Sequence, residues 1–166
     1  MSDFANLRDG GRRLAPLLAD ALADRTDPVL LPLLPNGAPV VVGLREALDL
    51  PVLPLEAERS DEGVVVAPPV SLAGRCAVVV DDGVETGTAA RAAVAALRES
   101  GAESVVLAVP VCPREALADL QHRFDLVVAV AKPLARRALA WHYADFDTVD
   151  EATALAMLDD LPESAC

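Results

Sequence analysis

The chain predicts a layered α/β domain on a mostly parallel sheet of about five strands, and three observations carry that prediction. Cys76 to Val80, Val105 to Val111 and Leu126 to Ala131 are short apolar runs, the pattern of strands buried on both faces. Segments with helical apolar spacing alternate with them, as in successive β-α-β units. Of the 166 residues, 53% are apolar but only 3% are aromatic, which favours many small helix and strand faces over a few large anchors. That length suits one domain with its own core. We place an N-terminal helix in 1–27, the core in 28–135 and a closing segment in 136–160.

From Asn6 to Ala23, Leu7, Leu14, Leu17, Leu18 and Leu22 recur at helical spacing, with Pro16 set to interrupt or kink the helix. Val29 to Leu34 is a strand that meets the turn Pro35-Asn36-Gly37, and Val40 to Leu48 is a helix ending near Pro51. Pro51 to Leu55 is a candidate strand. The charged stretch Glu56 to Gly63 and the run Val64 to Ala67 form a hairpin or flexible loop, closed by Pro68-Pro69. Cys76 to Val80 is the central strand. A helix from Thr88 to Ser100 stops at Gly101, and Ser104 to Val109, Arg114 to Arg123 and Leu126 to Ala131 continue as strand, helix and strand. Asp150 to Leu158 is a last helix with acids at its start, and Pro162 to Cys166 a loose tail.

Charge narrows the function. The net charge is −12 and Lys132 is the single lysine among 14 basic residues, so there is no broad basic face for nucleic acid or anionic lipid. No apolar run is long enough to span a bilayer. Charges in Met1 to Arg13 interrupt what a signal peptide would need as its apolar core, which predicts a cytoplasmic protein. Cys76, Cys112 and Cys166 lack metal or redox spacing and read as structural thiols.

The chemistry concentrates in Val78 to Ala90. Asp81 and Asp82 stand at the carboxyl end of a buried strand, where ligands of open parallel sheets bind. Adjacent carboxylates accept hydrogen bonds from neighbouring sugar hydroxyls. The amides and hydroxyls of Thr86, Gly87 and Thr88, at the start of a helix, can wrap a phosphate dianion. The plain alternative for the acidic pair is a strand-to-turn junction, where aspartate bonds nearby amides. No Gly-x-Gly-x-x-Gly follows the first strand, which sets this loop apart from a dinucleotide-binding domain.

Hydrophobic residues, two acids and then Thr86-Gly87-Thr88-Ala89 resemble the phosphoribosyl pyrophosphate (PRPP) motif of the type I phosphoribosyltransferases. The resemblance extends over roughly Val29 to Leu158. It is closest to a bacterial group of phosphoribosyltransferases of unassigned substrate, through Leu34 to Val40 and through Trp141, Tyr143, Asp145 and Phe146. It implies that family's fold with a small C-terminal hood, PRPP and a nucleobase as partners, magnesium as cofactor and a homodimer. It further implies that Asp81 and Asp82 hold the ribose hydroxyls directly or through magnesium, that Glu85 to Ala89 bind the 5-phosphate, and that Pro35, Asn36 and Gly37 form the pyrophosphate loop.

The chain departs from the family pattern in four places. Gly83 replaces a frequent aliphatic residue, and Glu85 stands where some members carry an aspartate resembling a general base. Pro35 or Asn36 takes the place of an arginine. The segment expected to carry basic catalytic residues is acidic, with Glu56, Glu58, Asp61 and Glu62 around a single Arg59. Leaving phosphoryl groups need cations or metal, so Glu85 and Arg59 are the catalytic candidates, each with a solvated loop charge as its plainer reading. Lys132, Trp141 and Tyr143 either line a base site or belong to surface and core. Two functions compete: a phosphoribosyltransferase, and a PRPP- or nucleotide-binding regulatory protein without turnover.

Overall fold

The computed structural model of the protein describes residues 2–67 and 70–165. The Pro68-Pro69 turn and Cys166 lie outside the described residues. Helix α1 (Leu7–Leu22) starts at Asn6, whose side chain accepts the Asp9 amide at 2.8 Å. It runs unbroken through Pro16, which sits on the exposed side, where water can take the carbonyl that the missing N–H leaves free. Leu7, Leu14, Leu18 and Leu22 are buried, but Leu17 is 44% exposed and lies off the core face.

Strand β1 (Pro28–Pro32) leads to α2 (Gly37–Arg45), three residues earlier at each end than the apolar run suggests. Pro39 is tolerated there because the first-turn N–H groups have no intrahelical partner. Helices α1 and α2 cross at glycines: a Cβ on Gly11 would lie 2.0 Å from the Val40 carbonyl oxygen, and one on Gly43 2.0 Å from that of Arg8.

The sheet is parallel and has four strands, in the order β1, β4 (Cys76–Val80), β5 (Ser104–Val111), β6 (Leu126–Ala131). The fifth strand expected at Pro51 to Leu55 lies beside β1 only as bridges, at Leu30 with Val52 and Leu33 with Leu55. The cause is Pro32, which has no N–H at the middle of that ladder, although hydrogen bonds form on both sides of it, Leu30 N to Pro51 O and Leu34 N to Leu55 O. Glu56–Ser60 (β2) and Gly63–Ala67 (β3) make the antiparallel hairpin.

Helices α3 (Thr88–Glu99) and α4 (Arg114–Arg123) cover one sheet face with Val79, Leu107 and Leu97. On the other face α1, α2 and the C-terminal segment pack on Val78, Val80 and Val106. A 3-10 turn at Leu139–His142 and α5 (Glu151–Asp159) complete the chain. The tail is docked: Arg45 Nη2 donates to the Pro162 carbonyl at 2.6 Å, and the Ala165 amide lies 3.1 Å from Asp49 Oδ2. Among the described residues, no helix is long and apolar enough to cross a membrane.

Candidate functional site

The chain leaves β1 toward the α2 face of the sheet and leaves β4 toward the α3 face. The loops after these neighbouring strands therefore diverge and open a crevice at their carboxyl ends. The loop after β1 is fitted to the Val80 carbonyl at the end of β4. That carbonyl accepts the Leu33 amide at 2.8 Å, and a Cβ on Gly37 would stand 2.5 Å from it.

Within the crevice a cavity of about 240 Å3 is lined by Asp81, Asp82, Glu85, Thr86, Thr88 and Arg59, among others. The acidic pair and the phosphate loop predicted from sequence thus share one cavity, and the β2–β3 hairpin brings Arg59 to it. Asp82 is buried and Asp81 partly so. Burial is the main force raising the pKa of both. The neighbouring Asp82 charge adds to the rise at Asp81, and Arg59 opposes it. Hydrogen bonds hold the pair, with the Asp82 amide donating to Asp81 Oδ1 at 2.9 Å and Asn36 Nδ2 lying 3.4 Å from Asp82 Oδ2.

Gly87 adopts φ +83° to turn the chain into α3, a conformation that glycine takes without Cβ strain. Thr86 and Thr88 are exposed, with their hydroxyls 3.1 Å apart. The departure at Gly83 has a steric cause: a Cβ there would meet Leu139 Cδ2 at 2.5 Å, so the 3-10 turn occupies the space of an aliphatic side chain.

Other predicted residues have different placements. Glu85 Oε1 accepts the Leu139 amide at 2.8 Å and so ties the loop to the C-terminal segment. Asn36 reaches the same segment, its Oδ1 taking the Val149 amide at 3.1 Å. Pro35 lines a neighbouring cavity with Glu56, Glu58 and Glu151, and Arg59 borders both. Tyr143 is buried between Phe4 and Phe146 and does not line the main cavity; its hydroxyl donates to the Asp82 carbonyl at 2.5 Å. Burial and the nearby acids push its phenol upward, so it stays protonated as that donor. Trp141 is exposed under the Arg137 guanidinium and Lys132 is exposed, and neither reaches the cavity wall.

Sequence reading missed Arg91. Its Nη1 donates to the Thr86 carbonyl at 3.1 Å and its Nη2 lies 3.5 Å from Thr88 Oγ1. The available signal was spacing, because a residue three positions after Thr88 in a helix falls on the same side.

A family model, the phosphoribosyl transferase domain, matches residues 3–130. A protein provisionally named phosphoribosyl transferase, found in two strains of Mycobacterium tuberculosis, is 40% identical over 90 residues, which is 54% of this chain. The matched segment spans 20% of that relative's length. The crystal structure of TT1426 from Thermus thermophilus superposes with TM-score 0.81 at 25% identity, covering 95% of this chain and 98% of the other. A purine phosphoribosyltransferase from Pyrococcus horikoshii shares the fold, with TM-score 0.56 and 18% identity over 80% of this chain and 91% of its own.

Proposed function

Since the chain belongs to the family of phosphoribosyl transferase domains, we propose that it transfers ribose 5-phosphate from PRPP to a nitrogenous base and releases pyrophosphate. The observation that carries this reading is one cavity with a carboxylate pair at the end of β4 and a glycine-turned helix start beside it. Asp81 and Asp82 orient the ribose hydroxyls, and the amides and hydroxyls of 85–89 hold the 5-phosphate. Asn36 offers its amide to pyrophosphate, Gly37, whose own amide is held by the Leu33 carbonyl at 2.9 Å, keeps that turn free of a side chain, Pro35 sets the turn, and Arg59 supplies positive charge. Glu85 keeps Oε2 for a proton relay, since Oε1 is engaged by Leu139.

The donor set fits magnesium. Adjacent carboxylates are hard oxygen ligands, and magnesium commonly takes one or two of them with substrate oxygens completing its shell. The pair is also desolvated, a cost that a divalent cation offsets. Bound there, magnesium would supply charge stabilisation for the departing pyrophosphate. The reading includes a homodimer in the cytoplasm.

The test is pyrophosphate release from PRPP and magnesium against a panel of nucleobases. Transfer predicts release stimulated by one acceptor class. The second reading, a regulatory protein that binds PRPP or a nucleotide without turnover, is favoured by one observation: Arg59 is the only cation lining the cavity among the described residues. It predicts PRPP binding with no release for any base.

A further inference from the structure

The phosphate loop carries a cation that does not line the main cavity. Arg91 stands one turn into α3 and its guanidinium folds back on the loop. Nη1 would be 2.9 Å from a Cβ on Gly87 and lies 3.1 Å from the Thr86 carbonyl. Its other two partners are distant, with Thr88 Oγ1 and Asp119 Oδ2 of α4 each at 3.5 Å. Asp119 is also shared, since it lies 3.1 Å from Arg123 Nε. A guanidinium offers five N–H donors, so two remain after these contacts, and the side chain is about one-third exposed. Among the described residues no other cationic side chain hydrogen-bonds the 83–89 loop.

The cavity beside the loop is predominantly acidic, with Asp81, Asp82 and Glu85 against the single cation Arg59 of the hairpin, which hydrogen-bonds no residue of the loop. A phosphate dianion therefore needs a compensating cation, and a guanidinium suits phosphate because it can donate two parallel bonds. We infer that Arg91 is a 5-phosphate-binding residue held in reserve by Asp119, and that the phosphate of the ligand displaces Asp119 from the guanidinium. This deepens the proposed function and rests on its assignment of the loop. Anchored by the Thr86 carbonyl, the guanidinium has a short way to move. Its weak partners are those given up when a dianion arrives. Asp119 then acts as a competing anion that lowers affinity for phosphate.

The competition sets a sign that a scaffolding role does not share. The full chain and the variants Arg91→Gln, Arg91→Lys, Asp119→Asn and the double variant Arg91→Gln with Asp119→Asn are titrated with PRPP and with ribose 5-phosphate in magnesium. Arg91→Gln should weaken both ligands about tenfold, the scale of one charge-assisted pair, and Arg91→Lys should recover part of the loss. Asp119→Asn should tighten both ligands, and the double variant should match Arg91→Gln. If Asp119→Asn weakens binding as Arg91→Gln does, the two residues only brace the loop and the inference is overturned.

Inorganic phosphate, followed through the amide resonances of Thr86 and Gly87, separates this inference from the function it rests on. Shifts in the parent that vanish in Arg91→Gln support Arg91 even if PRPP and ribose 5-phosphate fail to bind, an outcome that would sink the proposed function alone. No phosphate shift in the parent, or equal shifts in both proteins, overturns the role of Arg91.

Discussion

Gly43→Ala tests whether the crossing of α1 and α2 sets the position of the candidate site. The new Cβ would stand 2.0 Å from the Arg8 carbonyl oxygen and 2.9 Å from the Arg12 nitrogen, where ordinary contact starts at 3.4 Å. Both neighbours are backbone atoms that cannot rotate away, so the helices must part by more than an ångström. Overpacking of this kind costs about 1–3 kcal/mol, and a backbone clash this deep belongs at the upper end. Alanine returns about 1 kcal/mol in helix propensity. The net loss is about 2 kcal/mol, or roughly 4–8 °C in Tm for a chain of this size. Asn36 immediately precedes α2, so the displacement also moves its side chain away from Asp82 and should weaken PRPP binding. Urea unfolding checks the first effect, with a lower midpoint and an unchanged m-value. Gly11→Ala meets the Val40 carbonyl oxygen at the same 2.0 Å. The double variant should lose less than the sum of the singles, because helices already parted admit the second methyl. A midpoint for Gly43→Ala at or above the parent's would refute the reasoning.

Three further outcomes are expected. PRPP binding should strengthen steeply with magnesium, and Asp81→Asn with Asp82→Asn should abolish that dependence; calorimetric titration with and without the metal checks it, and equal binding in all four conditions would remove the acidic pair from the site. Tyr143→Phe should lower stability by about 1 kcal/mol, the usual worth of a hydrogen bond, and weaken PRPP binding, because the hydroxyl holds the Asp82 carbonyl. Hydrogen bonds from Arg12 and Arg8 hold Glu46 down at about 2, from an ordinary value of 4.5. A depressed carboxylate contributes stability above its unfolded pKa and loses it as pH falls through the folded one. The gap in urea midpoint between parent and Glu46→Gln should therefore be full above pH 4.5, close toward pH 2 and be small throughout, since these side chains are solvent-exposed.

Much of the fold was legible locally. The unbroken apolar run at Cys76 to Val80 has the pattern of a strand covered on both faces, and it lies inside the sheet with all five residues buried. Leu17 and the segment at Pro51 to Leu55 were misplaced for opposite reasons. A leucine at helical spacing can still fall at the edge of the buried stripe, as Leu17 does. The segment has strand-like composition, but its partner strand carries Pro32 where the ladder needs a donor, which only the pairing register reveals. The tail read as loose because nothing in Pro162 to Cys166 is apolar enough to dock it, yet Arg45, buried 117 residues away, takes the Pro162 carbonyl.

By itself, the sequence determined the contiguous part of the site. From Val78 to Ala90, strand, acidic pair, left-handed glycine and helix start follow one another, and each is set by residue type and local backbone preference. Tertiary structure alone decided what surrounds that loop. Asn36 meets Asp82 across 46 positions, Leu139 meets Glu85 across 54 and Tyr143 meets Asp82 across 61. Arg59 arrives on a segment that local pattern left open between a hairpin and a flexible loop, and that pairs as a hairpin. These meetings depend on which face of the sheet each connection takes and on how closely α1 and α2 approach at Gly11 and Gly43. Packing of whole elements sets both, and hydrophobic periodicity along the chain carries no record of either.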